Sequence, residues 1–211
     1  MNRRDFSAAF IATSLGALPL VASAQATPTE GTQFLKVEPP VPLLTPGKIE
    51  VLEFFSYACP HCHAFEPTLE AWTKKLPADV VFQRVPAPFL MNAENFMRTY
   101  YALETMGQVS AMQRKIFNAV HVDRLHLDKP ADIAALVGKS GIDSTKFLDV
   151  FNSFSVATSV TRAKKLAAAY KLDSVPTLAV NGHFRTSPAD AGSGDQALAV
   201  VDFLIQRARK G

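Results

Sequence analysis

The sequence predicts a mixed α/β fold with a helical subdomain set into it. Three observations carry this. Apolar, β-branched and aromatic stretches lie at Ile49–Ala58 and Asp79–Ala87, and again much later at Val175–Thr186. Between them, from about Phe89 to Ser155, four segments carry apolar residues at helical spacing. Strands separated by helices imply a mixed α/β sheet.

The elements follow in order. The first residues, Met1-Asn2-Arg3-Arg4, make a positive start, and an apolar run from Phe6 to Val21 follows, interrupted by Gly16 and Pro19. Ala22-Ser23-Ala24 then fits the small-x-small rule of a signal peptidase site. We expect residues 1–24 to be a cleaved export signal, with the mature chain starting near Gln25. Arg3-Arg4 followed by Phe6 also fits a twin-arginine signal; either route crosses the inner membrane and delivers the chain to the periplasm. Residues 25–48 are rich in proline and read as loop, apart from an edge strand at Gln33–Glu38.

Ile49–Ala58 lacks clean alternation, which suits a central strand buried on both faces. A helix should run from about Cys59 to Leu76. Pro60 then takes the first helical position, where its missing N–H costs nothing; Pro67 falls inside and should kink it. Asp79–Ala87 is a second strand, ended by Pro86 and Pro88. The four helical segments are 92–107, 110–121, 130–141 and 143–154, the last capped by Asp143 or Ser144. A further helix spans Val156–Tyr170. Val175–Thr186 reads as two strands around Asn181-Gly182, a two-residue hairpin signature needing positive φ at both turn positions. Asp195–Arg209 is an amphipathic final helix.

The chain has 211 residues, 48% hydrophobic and 19% charged, with a formal charge of +3. So small an excess gives no reason to expect nucleic acid or membrane binding. Its only two cysteines, Cys59 and Cys62, are one helical turn apart with Pro60 and His61 between them. Three chemistries compete for such a pair. Cys59, His61, Cys62 and His63 are zinc-compatible ligands, but a structural zinc site wants a second ligand pair, and His121, His126 and His183 form none. A disulfide staple closing so small a loop removes little chain entropy. Redox exchange accounts for the surroundings. At the helix cap, the Cys59 sulfur meets free N–H groups and the positive end of the helix dipole. Both favour thiolate, and a protonated His61 adds to them. Cys62, inside the first turn, should be more buried and less acidic. Cys59 is then the attacked and leaving sulfur and Cys62 the resolving one. Acidifying Cys59 stabilises the reduced protein and makes the disulfide an oxidant.

Val51–Pro67, "VLEFFSYACPHCHAFEP", and Val175–Gly182, "VPTLAVNG", resemble the two signature segments of the DsbA family of periplasmic thiol–disulfide oxidases. The resemblance covers nearly the whole mature chain. It implies a thioredoxin-like fold with an inserted helical domain. The first part of the thioredoxin-like domain would be 25–88, the insert 89–155 and the second part 156–211. It implies that Pro176 is cis and faces the cysteine pair. Val175 before it would pair with an extended substrate. An acid at Glu53 would sit beneath the site and move protons to or from the buried cysteine. Strong oxidising power comes with the resemblance. So do the expected partners: exported proteins with free cysteines, and a DsbB-like quinone-linked membrane oxidase. No cofactor beyond the Cys59–Cys62 disulfide, no metal, and a monomer are expected.

Glu53 lies in an apolar strand, so it should have a raised pKa or a partner. Glu66 and Arg84 are candidates for a nearby charge pair, or for a plain surface salt bridge. His63 stands where some relatives carry an aromatic residue; it could tune the site or be a surface side chain. Phe89, Leu90, Met91 and Phe184 are candidates for an apolar groove or for core. Two other functions remain open from sequence: a reductase or isomerase on the same fold, and a redox-inactive peptide-binding chaperone.

Overall fold

The structure is a computed structural model that describes residues 27–210. The export signal expected over 1–24 lies outside the described residues. Five strands form one sheet: β1 (Leu35–Lys36), β2 (Ile49–Phe55), β3 (Val80–Pro86), β4 (Thr177–Val180) and β5 (Phe184–Thr186), in the order β1-β5-β4-β2-β3. β2 runs parallel to β3 and antiparallel to β4. It is therefore internal, and Val51 to Phe55 are all buried, as its unbroken apolar pattern requires.

The helices are α1 (Pro60–Thr73), α2 (Ala93–Thr105), α3 (Val109–His121), α4 (Pro130–Lys139), α5 (Ser144–Phe151), α6 (Phe154–Ala169), α7 (Pro188–Ala191) and α8 (Gly194–Ala208). Side-chain alternation along β2 divides the core. Val51 packs with Phe65 and Leu69 of α1 and with Leu198, Val201 and Leu204 of α8. Leu52 and Phe54 belong to the larger cluster with Met97, Ile116, Phe147 and Val160 of α2, α3, α5 and α6. Fully burying side chains of this size contributes roughly 1.5–3 kcal/mol each. This is a thioredoxin-like fold carrying a helical insertion.

Three expectations need correction. The edge strand is only Leu35–Lys36, because its partner β5 has just three residues. Beyond it, single bonds continue the contact: Val37 N–H to the His183 carbonyl at 2.7 Å, and Thr186 Oγ1 to the Gln33 carbonyl at 2.6 Å. The hairpin has positive φ at Asn181 (52°) and Gly182 (72°), but Val180 pairs with Phe184, so three residues connect the strands. The additional residue, His183, has its carbonyl held by Val37. A Cβ at Gly182 would collide with the Val41 carbonyl oxygen, so glycine is needed there for space as well as for φ. Finally, α1 ends at Thr73 rather than Leu76; its last turn tightens into i→i+3 bonds before Pro77.

Candidate active site

β2 delivers the chain into a tight turn, Ser56–Cys59. The Cys59 N–H bonds the Ser56 carbonyl at 3.0 Å, and the Ala58 N–H bonds Ser56 Oγ at 3.2 Å. Cys59 then caps α1 in extended conformation, with Pro60 in the first turn. Its sulfur accepts the Cys62 N–H at 3.3 Å and, as a thiol, donates to the Val175 carbonyl at 3.3 Å. The Val175–Pro176 peptide bond is cis. Thus β4's entry lies against the capping sulfur. Among the described residues the Val175 N–H has no hydrogen-bond partner.

Both cysteines are free thiols and both are buried, Cys59 3% and Cys62 0% exposed. Their environments nevertheless push them apart. Cys59 is lowered to about 6. The hydrogen bond from the Cys62 side chain is the main cause; burial opposes it, and the amides of Cys62 and His61 and the positive potential of His61 add to it. Burial, above all, drives Cys62 far upward, and its hydrogen bond to Cys59 adds to that. His61 and Pro60 face solvent.

Beneath the turn lies a buried charge triad. Glu53 stands opposite Arg84 in the parallel β2–β3 register. Arg84 Nε donates to Glu53 Oε2 at 2.8 Å and Arg84 Nη2 donates to Glu66 Oε1 at 2.7 Å. Glu53 is 0% and Glu66 3% exposed, so this is not a surface salt bridge. Glu53 Oε1 has no partner among the described residues. Burial outweighs the pull of Arg84 and raises the Glu53 carboxyl to about 7, with Glu66 pushing the same way. The folded state therefore binds this proton more tightly than the unfolded chain. Stability falls as pH climbs from about 4.5 towards 7, because the native state must then hold an ionised buried acid. Replacing Glu53 with Gln is expected to flatten urea stability measured from pH 5 to pH 8; an unchanged slope would refute the assignment.

Sequence reasoning missed a further set of residues around Tyr57. The Tyr57 hydroxyl donates to Gln113 Oε1 at 2.7 Å, and Gln113 Nε2 reaches Glu66 Oε2 at 3.4 Å. His121 Nε2 meets the Tyr57 carbonyl at 2.9 Å. His63 is not an isolated surface side chain: its ring stacks on His121 (5.1 Å, 10°) and its Nε2 meets Asn118 Oδ1 at 3.0 Å. The available signal was the four-residue spacing of Gln113, Phe117 and His121, which places them along one helix face. Of the apolar candidates, Leu90 and Met91 are exposed at 49% and 78%. Phe184 does not join them. It pairs with Val180, at the end of β4 remote from Pro176, and packs on Phe34 and the Arg207 guanidinium.

An acidified cysteine at a helix cap, a buried partner one turn on and the Val175 carbonyl, just before Pro176, against the sulfur define a thiol–disulfide oxidoreductase of the thioredoxin fold. A family model for the DSBA-like thioredoxin domain matches residues 78–203. The chain is 42% identical over 212 residues to the thiol:disulfide interchange protein DsbA of Bordetella pertussis, covering 100% of both. It is 42% identical over 183 residues to the protein of that name from Pseudomonas aeruginosa, covering 86% of each. The crystal structure of Pseudomonas aeruginosa DsbA superposes with a TM-score of 0.84 at 41% identity, over 86% of this chain and 95% of that one. The chain belongs to the DsbA family.

Proposed function

We propose that this chain is a periplasmic dithiol oxidase that donates the Cys59–Cys62 disulfide to newly exported proteins. The observation that carries this reading is the opposed acidity of two thiols one turn apart. A substrate thiolate attacks Cys59 Sγ, the Cys59–Cys62 bond breaks and Cys62 leaves with the electron pair. Cys62, strongly basic in its buried site, takes a proton; Glu53, protonated near neutral pH, supplies it. The second substrate thiolate then attacks the substrate sulfur of the mixed disulfide, and Cys59 leaves as a stabilised thiolate. The substrate loses two electrons and two protons, and the enzyme gains both electrons.

Val175 and Pro176 form the peptide-facing edge in this reading. The free Val175 N–H suits pairing with an extended substrate backbone. Pro60 and His61, exposed between the cysteines, tune Cys59. Reoxidation falls to a DsbB-like quinone-linked membrane oxidase, and the chain acts as a monomer without any cofactor beyond its disulfide. An export signal at 1–24, an insert at 89–155 and thioredoxin-like parts at 25–88 and 156–211 complete the proposal.

Cys59 gives the reading a pH signature. Its folded pKa, about 6, lies below the ordinary thiol value of 9.0, so the reduced form gains stability that is full above about pH 9 and is lost as pH falls through about 6. Between those limits each pH unit contributes about 1.4 kcal/mol, or about 30 mV for a two-electron couple. Equilibration with glutathione buffers across pH 5–9 should therefore show the disulfide becoming relatively more oxidising towards alkaline pH. A potential as reducing as that of thioredoxin would instead make the chain a reductase.

A further inference from the structure

One stripe of α3 grips a single residue of the active-site turn at three points. Gln113, Phe117 and His121 follow one another at intervals of four residues. Gln113 takes the Tyr57 phenol hydroxyl at 2.7 Å. Phe117 packs edge-on against the Tyr57 ring, with centroids 5.2 Å apart at 68°. His121 takes the Tyr57 backbone carbonyl at 2.9 Å. Tyr57 is 0% exposed and stands two residues before Cys59, inside the turn that presents the sulfur. The same stripe reaches α1. Gln113 contacts Glu66, and His121 and Phe117 stack on His63 at 5.1 and 5.8 Å.

Because a carbonyl only accepts, His121 must carry its proton on Nε2 in this contact. Burial, and His63 beside it, hold the ring below the usual histidine pKa, while the Tyr57 bond pulls the other way. The ring is therefore neutral at pH 7 with its Nδ1 unprotonated, a fixed tautomer set by one hydrogen bond. Elsewhere the turn is held by two bonds internal to Ser56–Cys59, by the bonds of Cys59 to α1 and to the Val175 carbonyl, and by packing of the Tyr57 ring on Phe55 and Phe96; His121 is the partner of the Tyr57 carbonyl. Without the α3 contact, the Tyr57–Ala58 peptide could rotate. Its carbonyl would then be unbound, two residues before the cysteine.

We propose that His121 and Gln113 are positioning residues for the thiol chemistry: through Tyr57, helix α3 holds the active-site turn in the orientation that keeps the Cys59 sulfur aligned on the Cys62 amide. Acid strength at Cys59 is then set partly by the helical insertion. His63 belongs to this device as the ring that buttresses His121 from α1. The proposal rests on Cys59 being the reactive thiol, but not on the direction of electron flow.

The test is the Cys59 thiolate titration, followed by ultraviolet absorbance, together with the glutathione equilibrium, in the full mature chain. His121→Leu is expected to raise the titration midpoint by about half a pH unit and to shift the equilibrium about threefold towards the disulfide. His121→Gln keeps an N–H donor for the Tyr57 carbonyl and is expected to return both values most of the way. Tyr57→Phe removes only the phenol oxygen and should move both in the same direction as His121→Leu, by less. Unchanged midpoints in His121→Leu and Tyr57→Phe, with melting temperature lowered equally in oxidised and reduced protein, would make α3 a packing surface only and overturn the proposal. Should His121→Leu fail to fold, Tyr57→Phe decides alone: a wild-type midpoint overturns it. None of these readouts needs a protein substrate, so they stay distinct from a failure of the oxidase reading.

Discussion

Cys59→Ser is expected to lose disulfide transfer by about three orders of magnitude or more, since the attacked sulfur is gone and no other cysteine replaces it. The serine hydroxyl still caps α1 through the Cys62 N–H, so folding should survive. Cys62→Ser should behave differently. It has no internal disulfide to donate, but its Cys59 thiolate can attack a disulfide supplied by an oxidised model protein, forming a mixed disulfide and releasing that protein's other thiolate, and the thiol that would resolve the adduct is gone. Covalent adducts of the oxidised model protein at Cys59 should then accumulate and be visible by mass spectrometry under non-reducing conditions. Oxidation of a reduced model protein, followed by recovery of its activity, measures the first variant. Full activity of Cys59→Ser would end the oxidase reading and favour a peptide-binding chaperone that uses the same surface.

Arg84→Met should be the most destabilising single change in the site. It leaves two carboxylates, 0% and 3% exposed, with no cation between them. Removing one partner from a buried ion pair typically costs about 3–5 kcal/mol. The loss should depend on pH, because Glu53 and Glu66 are both raised by burial and can escape by taking up protons. Urea unfolding at pH 8 should show the larger deficit and unfolding at pH 5 the smaller. An equal and small loss at both values would mean that Arg84 does not neutralise the pair. Replacing all three charges with apolar residues of similar size should restore much of the stability, because the desolvation cost of the ions goes with them. The proton donor for Cys62 proposed above would be lost with it.

Much of this site is legible locally. Cys59 as cap, Pro60 in the first turn and Cys62 inside it are consequences of four consecutive residues and of helix geometry. The apolar neighbours of Glu53 in β2 favour its burial, which the structure bears out. Its partner is not legible locally: Arg84 lies opposite Glu53 only because β2 and β3 pair in that register. A one-residue slip would put a different side chain opposite and on the other face. The hairpin divides the same way. Asn181-Gly182 dictates positive φ, whereas the third loop residue belongs to the register with β4, and the His183 carbonyl is held by the distant Val37 N–H.

His63 and His121 are the clearest case of information absent from local pattern. The period of α3 says that Gln113, Phe117 and His121 share a face, but not what the face meets. Tyr57 is 56 residues from Gln113 and 64 from His121 in sequence, and nothing at either end specifies the other. The sequence by itself determined the dithiol, its helix cap, the central strand and the segments that mark the family. Tertiary structure alone decided which buried groups face one another: Arg84 between Glu53 and Glu66, the Val175 carbonyl on the Cys59 sulfur, and α3 on Tyr57. The physical reason is range. Capping and turn preferences act within a few residues, while burial and hydrogen bonding between distant segments depend on how whole elements pack.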